Sequence, residues 1–271
     1  MKIISKLRTA IKVLSTFGLI ELFRICIKKF SRTESLGKVV NFPKGVSLYR
    51  ASELPDSILL RILCLDEELI QQVRVEHSKY DQSIRERLLA PRFSFFSTQY
   101  DLGLGMSEVL FLAVRGKKPS KIIETGVAAG VSTNLILFVL QKNQNGKCIS
   151  IDITPKVGEI IEDELKHRWQ LEVLPEFSRE DAFNKILIAN SDATLFLHDS
   201  DHANSWQIKE FSAVIQHLAQ VQLILFDDIS EALIEFIQEN HPKFQVLVID
   251  EGRKYSGIIY KADQSVDNSY Q

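Results

Sequence analysis

Cysteine is scarce in this chain of 271 residues: Cys26, Cys64 and Cys148 are isolated, odd in number and without C-x-x-C spacing. A disulfide framework and a structural zinc site are therefore disfavoured, and a reducing cytoplasm is the expected setting. Long apolar runs are missing too. In the opening MKIISKLRTAIKVLSTFGLIELFRICIKKF, Glu21, Arg24 and flanking lysines interrupt the uncharged stretches, so no single spanning helix is expected. No small-residue cleavage segment follows, which disfavours a secretory signal. Net charge is only -2, but the first 32 residues hold eight Lys or Arg and one acid, leaving about -9 on the remainder. An acidic remainder argues against a nucleic-acid groove. Internal repeats, low-complexity tracts and an evident interdomain linker are absent.

At 45% hydrophobic residues, the chain can bury one substantial core plus an appendage. Residues 1–90 read as a mainly helical N-terminal extension and residues 91–271 as the main domain. Within the extension, residues 1–30 form a basic amphipathic helix: Ile3, Ile4, Leu7, Ile11 and Leu14 share one face, with Lys2, Lys6, Arg8 and Lys12 on the other. That apolar face suits an anionic surface, giving peripheral contact at the inner membrane, and equally suits the domain itself or a second copy in a homo-oligomer. Residues 33–57 are loop or short-strand material, 58–90 regain helical periodicity, and Pro91 stops it. Phe93, Phe95 and Phe96 are expected in the core, with Tyr100 a candidate to close over a ligand. A further helix is expected around 105–115.

From Lys121 onward, apolar runs near 121–124, 148–151, 171–174, 194–197, 222–226 and 244–249 alternate with helical patterns, which implies a parallel sheet covered on both faces. The final runs, FQVLVID and SGIIYKA, are joined by EGRKY, too short for a crossover helix, and are expected to form an antiparallel hairpin. The first run continues as KIIETGVAAGVSTN. Gly126 and Gly130 permit a tight turn and close approach of bare backbone to a ligand. Glu124 ends the strand, where a carboxylate can accept from an ammonium group. The helix opening near Ser132 and Thr133 offers backbone N–H groups to an anion. The spacing is E-x-G-x-x-x-G rather than G-x-G-x-x-G, and no G-K-[ST] follows, so a phosphate-free nucleoside such as S-adenosylmethionine is favoured over a dinucleotide or nucleotide triphosphate.

With Glu124, Gly126 and Gly130, and with Ala128 where a glycine is often found, the chain resembles class I S-adenosylmethionine-dependent methyltransferases. The resemblance implies a Rossmann-like seven-stranded sheet with helices on both faces, whose last two strands form the antiparallel hairpin. It also implies that Asp152, ending the strand CISID, binds the cofactor ribose. The bland reading makes Gly126 a plain turn glycine and Asp152 a helix cap.

Further on, TLFLHDSDH and LILFDDI place acids and histidines at the carboxyl ends of two strands expected to be neighbours, the edge where open α/β sheets bind ligands. Asp199, Asp227 and Asp228 suit a hard ion such as Mg2+, and an ion-held hydroxyl could give its proton to His202. FLHDSDH followed by FDDI is similar to metal-assisted sugar and natural-product O-methyltransferases. That similarity implies Asp199, Asp227 and Asp228 as metal ligands, Asp199 also at the cofactor, His202 as general base, and a small-molecule or glycan acceptor. The competing residue-level readings make Asp201 and Asp228 helix caps, His198 a structural histidine, and Glu180 and Asp181 a solvated helix start. Two alternative functions remain open: a Rossmann-type NAD-dependent reductase, or a non-catalytic membrane-associated binding scaffold on the same fold.

Overall fold

The apolar runs expected as strands are strands in the computed structural model, which describes residues 42–43, 45–89, 96 and 102–261. In chain order they are β1 (Ser47–Arg50), β2 (Lys121–Thr125), β3 (Lys147–Asp152), β4 (Trp169–Val173), β5 (Leu195–His198), β6 (Leu223–Phe226), β7 (Phe244–Asp250) and β8 (Tyr255–Lys261). The helices are α1 (Asp56–Leu63), α2 (Glu67–Leu89), α3 (Leu104–Lys117), α4 (Val131–Asn143), α5 (Arg179–Ala189), α6 (Asn204–His217) and α7 (Glu231–Asn240). All strands lie in one sheet of order β1-β7-β8-β6-β5-β2-β3-β4. Pairing is parallel except where β8 runs antiparallel between β6 and β7. The expected seven strands and closing hairpin are present. An eighth strand, β1, is added from the N-terminal region by pairing Ser47–Arg50 with Leu247–Asp250.

Residues in the extension share the main core. Leu59, Ile62, Leu63, Ile70, Val73, Tyr80 and Ile84 of α1 and α2 pack in one cluster with Ile122, Leu195, Leu197, Leu223 and Leu225 of the sheet. The periodicity expected over 58–90 is broken at Cys64, whose left-handed backbone ends α1. Asp66 then accepts from Leu69 N–H at 2.7 Å and helps start α2. The opposite sheet face, with Ile123, Phe196, Ile224, Val248 and Ile259, is covered by Phe183, Phe211, Leu233 and Ile237 of α5, α6 and α7. Burial on both faces explains why the strands read as unbroken apolar runs rather than alternating ones. Alternation still sorts the polar residues: Glu124 follows Ile122 towards α4, whereas Thr125 follows Ile123 towards α6.

Chain direction reverses its course at β2, whose neighbours are β3 on one side and β5 on the other. This is the topological switch point, and its crevice opens at the carboxyl ends of the strands. Phe96 packs against the core beside the sheet. Phe93, Phe95, Tyr100 and the amphipathic segment 1–30 lie outside the described residues. Among the described residues, no helix is long and apolar enough to cross a membrane.

Gly126, at the switch point, has φ +81°, and a Cβ there would sit 2.1 Å from the backbone carbonyl oxygen of Asp199. Gly252 has φ +78° with nothing within 4 Å of such a Cβ. Gly252→Ala is therefore expected to cost about 1 kcal/mol, the left-handed penalty alone. Gly126→Ala adds a backbone clash and should cost about 3 kcal/mol or leave the chain unfolded. Urea denaturation of both variants checks the contrast, and equal losses would refute it.

Candidate active site

The turn after β2 is built from backbone. Gly126 N–H donates to Ile151 O at 2.8 Å, and Gly130 N–H to Val127 O at 2.7 Å. The space a side chain would need at Gly126 is filled by the end of β5, and at Gly130 by Ile161 and Gly158. Both glycines thus meet protein where close approach to a ligand was expected. Ala128 holds a left-handed φ of 47°, which costs a non-glycine residue about 1 kcal/mol. The carbonyls of Ala128 and Ala129 accept from Gly158 and Ile160 N–H, tying the turn to the segment after β3.

Asp152 is spent largely on this turn. Its carboxylate accepts from the N–H groups of Val127 at 2.9 Å, Ile153 at 2.7 Å and Thr154 at 3.1 Å. Burial raises its pKa, against these backbone donors and that of Ala128. Glu124 is fully buried; its Oε2 accepts from Thr133 Oγ1 at 2.6 Å and Ser150 Oγ at 2.7 Å, and the Ser132 hydroxyl is a further donor. Ser132 and Thr133 therefore turn their hydroxyls inward, to a carboxylate the chain already contains. Burial still outweighs these donors and raises the Glu124 pKa. Glu124 Oε1 has no hydrogen-bond partner among the described residues. A buried carboxylate with one unanswered oxygen fits a cationic ligand group such as an ammonium.

At the ends of β5 and β6, two of the expected residues, Asp199 and Asp227, come together with a third, Lys254, that the sequence reading missed. Lys254, in the β7–β8 turn, donates to Asp227 Oδ2 at 2.5 Å. Burial opposes its charge, but Asp227 and Asp199, with Asp228 further off, raise its pKa overall. Loss of water, then the Asp227 carboxylate, push the Asp199 carboxyl well above the usual range, against Lys254. Asp227 itself is 3% exposed, and its Oδ1 has no hydrogen-bond partner among the described residues. Asp228 turns the other way. Its φ is 59°, its carbonyl accepts from Gln207 Nε2 at 2.7 Å, and its Oδ2 lies 3.6 Å from His202 Nε2. His202 is 28% exposed and sits edge-on to His198, with ring centroids 6.0 Å apart.

This arrangement departs from the metal set expected for Asp199, Asp227 and Asp228. A divalent ion of the Mg2+ kind needs several oxygen ligands converging on one point. Here a lysine ammonium answers Asp227, and Asp228, the next residue in the same turn, faces His202. Among the described residues no group of three or more His, Cys, Asp or Glu could hold a metal ion.

The other side of the sheet holds a buried hub that sequence reasoning passed over. Glu210 of α6 accepts from Thr125 Oγ1 at 2.9 Å, His198 Nδ1 at 2.5 Å, Ser200 Oγ at 3.0 Å and Trp206 Nε1 at 2.6 Å. His198 also stacks on Phe226 at 4.6 Å, in keeping with its reading as a structural histidine. Gln207, two residues before Lys209, accepts from Ser230 N–H as well as donating to the carbonyl of Asp228. Glu180 pairs with Lys209 in the exposed first turn of α5, and Asp201 Oδ1 accepts from Ala203 N–H at 3.3 Å, in keeping with solvated or capping roles.

Two outcomes follow for stability. Glu210→Ala removes the acceptor for four donors and is expected to cost about 3–5 kcal/mol, read from chemical denaturation. Because Glu124 binds its proton more tightly in the folded state, its ionisation withdraws stability as pH rises from the ordinary carboxylate value through the raised one. Glu124→Gln should flatten that part of the stability–pH curve, and an unchanged slope would contradict the burial argument.

Residues 123–229 match the family model described as "Methyltransferase domain". No curated protein matches the chain. Among solved structures, the chain is similar to the S-adenosylhomocysteine-bound methyltransferase PaMTH1 of Podospora anserina, at 13% identity and TM-score 0.48, covering 84% of this chain and 100% of that one. A putative O-methyltransferase from Klebsiella pneumoniae aligns at 15% identity and TM-score 0.44, covering 77% and 96%. The O-methyltransferase TomG of Streptomyces achromogenes, in complex with S-adenosylmethionine, aligns at 14% and 0.45, covering 76% and 96%. The matched segment runs from β2 through the end of β6 and so contains both the glycine turn and the Asp199–Asp227 cluster. Over residues 123–229, which are less than half of its length, this chain is similar to a methyltransferase domain.

Proposed function

We propose that the protein methylates a hydroxyl oxygen of a sugar, glycan or other small natural product. The observation that carries this reading is the His202–Asp228 pair, Nε2 to Oδ2 at 3.6 Å, at the strand edge that also bears the glycine turn. An imidazole beside a carboxylate can accept a hydroxyl proton, and the carboxylate stabilises the imidazolium that results. Gln207 holds the turn that presents Asp228, so the pair is positioned by buried hydrogen bonds.

S-adenosylmethionine supplies an electrophilic methyl group when bound. Glu124, with its unanswered buried oxygen, is our candidate for the cofactor's ammonium. Gly126, Ala128, Gly130 and Ser132 shape the wall around it, and Asp199 lies at the same edge. Asp152 acts first by fixing the turn, and only its remaining exposed edge is offered to ribose hydroxyls. The divalent ion is not carried into this reading, because the donor set does not fit it.

Isothermal titration with S-adenosylmethionine and S-adenosylhomocysteine is expected to give saturable binding in the wild type and in His202→Ala alike. Methyl transfer to an acceptor panel should fall about 10²–10⁴-fold in His202→Ala, the usual worth of a general base. Absence of binding heat would refute the cofactor half. Undiminished turnover in His202→Ala would refute the base.

A further inference from the structure

We infer that Lys254 is the site's own cation: its ammonium takes the place beside Asp199 and Asp227 that a divalent ion would fill, and the domain works without one. The inference rests on the reading of these carboxylates as part of the acceptor site. Its physical basis is the way the cluster's charges are answered. Asp227 is 3% exposed, and a carboxylate so buried needs a counter-charge within the structure. Lys254 provides it at 2.5 Å. Asp199 is the second acid at this edge, its N–H bonded to Thr125 O at 2.8 Å as the N–H of Asp227 is to His198 O, so both acids are fixed by the ends of neighbouring strands.

Lys254 is placed rigidly. Its carbonyl accepts from Glu251 N–H at 3.0 Å inside the β7–β8 turn, and the next residue, Tyr255, accepts from Ile229 N–H at 2.7 Å. Glu251 in turn accepts from the N–H groups of Gly105 and Met106, at 3.1 and 2.7 Å, where α3 begins. The hairpin is thus tied to a helix on one side and to the β6–α7 connection on the other, so the ammonium is held at the acids by the fold. A metal ion entering here would meet that fixed positive charge, and Asp228, the remaining expected ligand, is turned towards His202. The role of Lys254 is electrostatic: it carries positive charge to the acceptor oxygen, and no bond is made or broken at the lysine.

The test is a Mn2+ titration of the full chain, followed by calorimetry and by the Mn2+ electron paramagnetic resonance signal. The wild type should show no saturable site in the millimolar range that marks weak biological metal sites. Its melting temperature should be unmoved by EDTA. Lys254→Ala should acquire a saturable Mn2+ site that is lost again when Asp227→Asn is added, whereas Lys254→Arg, which keeps the charge, should acquire none. Saturable Mn2+ binding by the wild type that Asp227→Asn abolishes would overturn the inference, as would a folded Lys254→Ala without a site. Should Lys254→Ala fail to fold, the wild-type titration alone still decides. These readouts follow metal occupancy, so they are separable from cofactor titration, whose failure would instead strike the proposed function.

Discussion

The missing side chain at Gly126 is the constraint on which the site depends. Three strands meet around that residue: β3 through Ile151 O, β2 through its own backbone, and β5 through the carbonyl of Asp199. Asp199 N–H in turn donates to Thr125 O at 2.8 Å, and Asp227 N–H to His198 O at 2.8 Å, so the acids extend the sheet's hydrogen bonding past the formal strand ends. Their positions are consequently set by the ladder rather than by loop conformation. A site held this way needs little reorganisation when a ligand arrives.

Polar groups are distributed between the two faces of the sheet according to how each can be satisfied. Towards α4, Glu124 is answered by hydroxyls of α4 and β3 and keeps one oxygen over. Towards α6, Glu210 gathers four donors and leaves none of its oxygens idle. Both are buried carboxylates, and a buried ion is tolerated only where partners compensate the lost water. The satisfied one reads as structure. The incompletely satisfied one lies at the glycine turn, where a ligand can complete it.

Much of this architecture was legible in the sequence because parallel strands buried on both faces leave unbroken runs such as KIIET, CISID and LILF. The acids were legible too, since they follow those runs directly. Lys254 was not, because it reaches Asp227 through hairpin register across 27 residues and sits in a segment, EGRKY, that reads as an ordinary polar turn. Glu210 and Gln207 were hidden for a related reason: on an amphipathic helix a lone polar residue at an inward position looks like a surface residue until the facing strand is known. Asp152 was placed correctly at the strand end. Its oxygens go first to the neighbouring turn, a use that no spacing rule distinguishes from ribose binding.

The short strand β1 has a consequence for association. By pairing with β7 it fills the outer hydrogen-bonding side of the closing hairpin, so that β7 is interior to the sheet among the described residues. A partner adding a strand to this sheet would therefore have to dock on the four-residue rim of β1 or on β4 at the far margin, and the antiparallel hairpin that carries Lys254 is closed to such edge-to-edge contact.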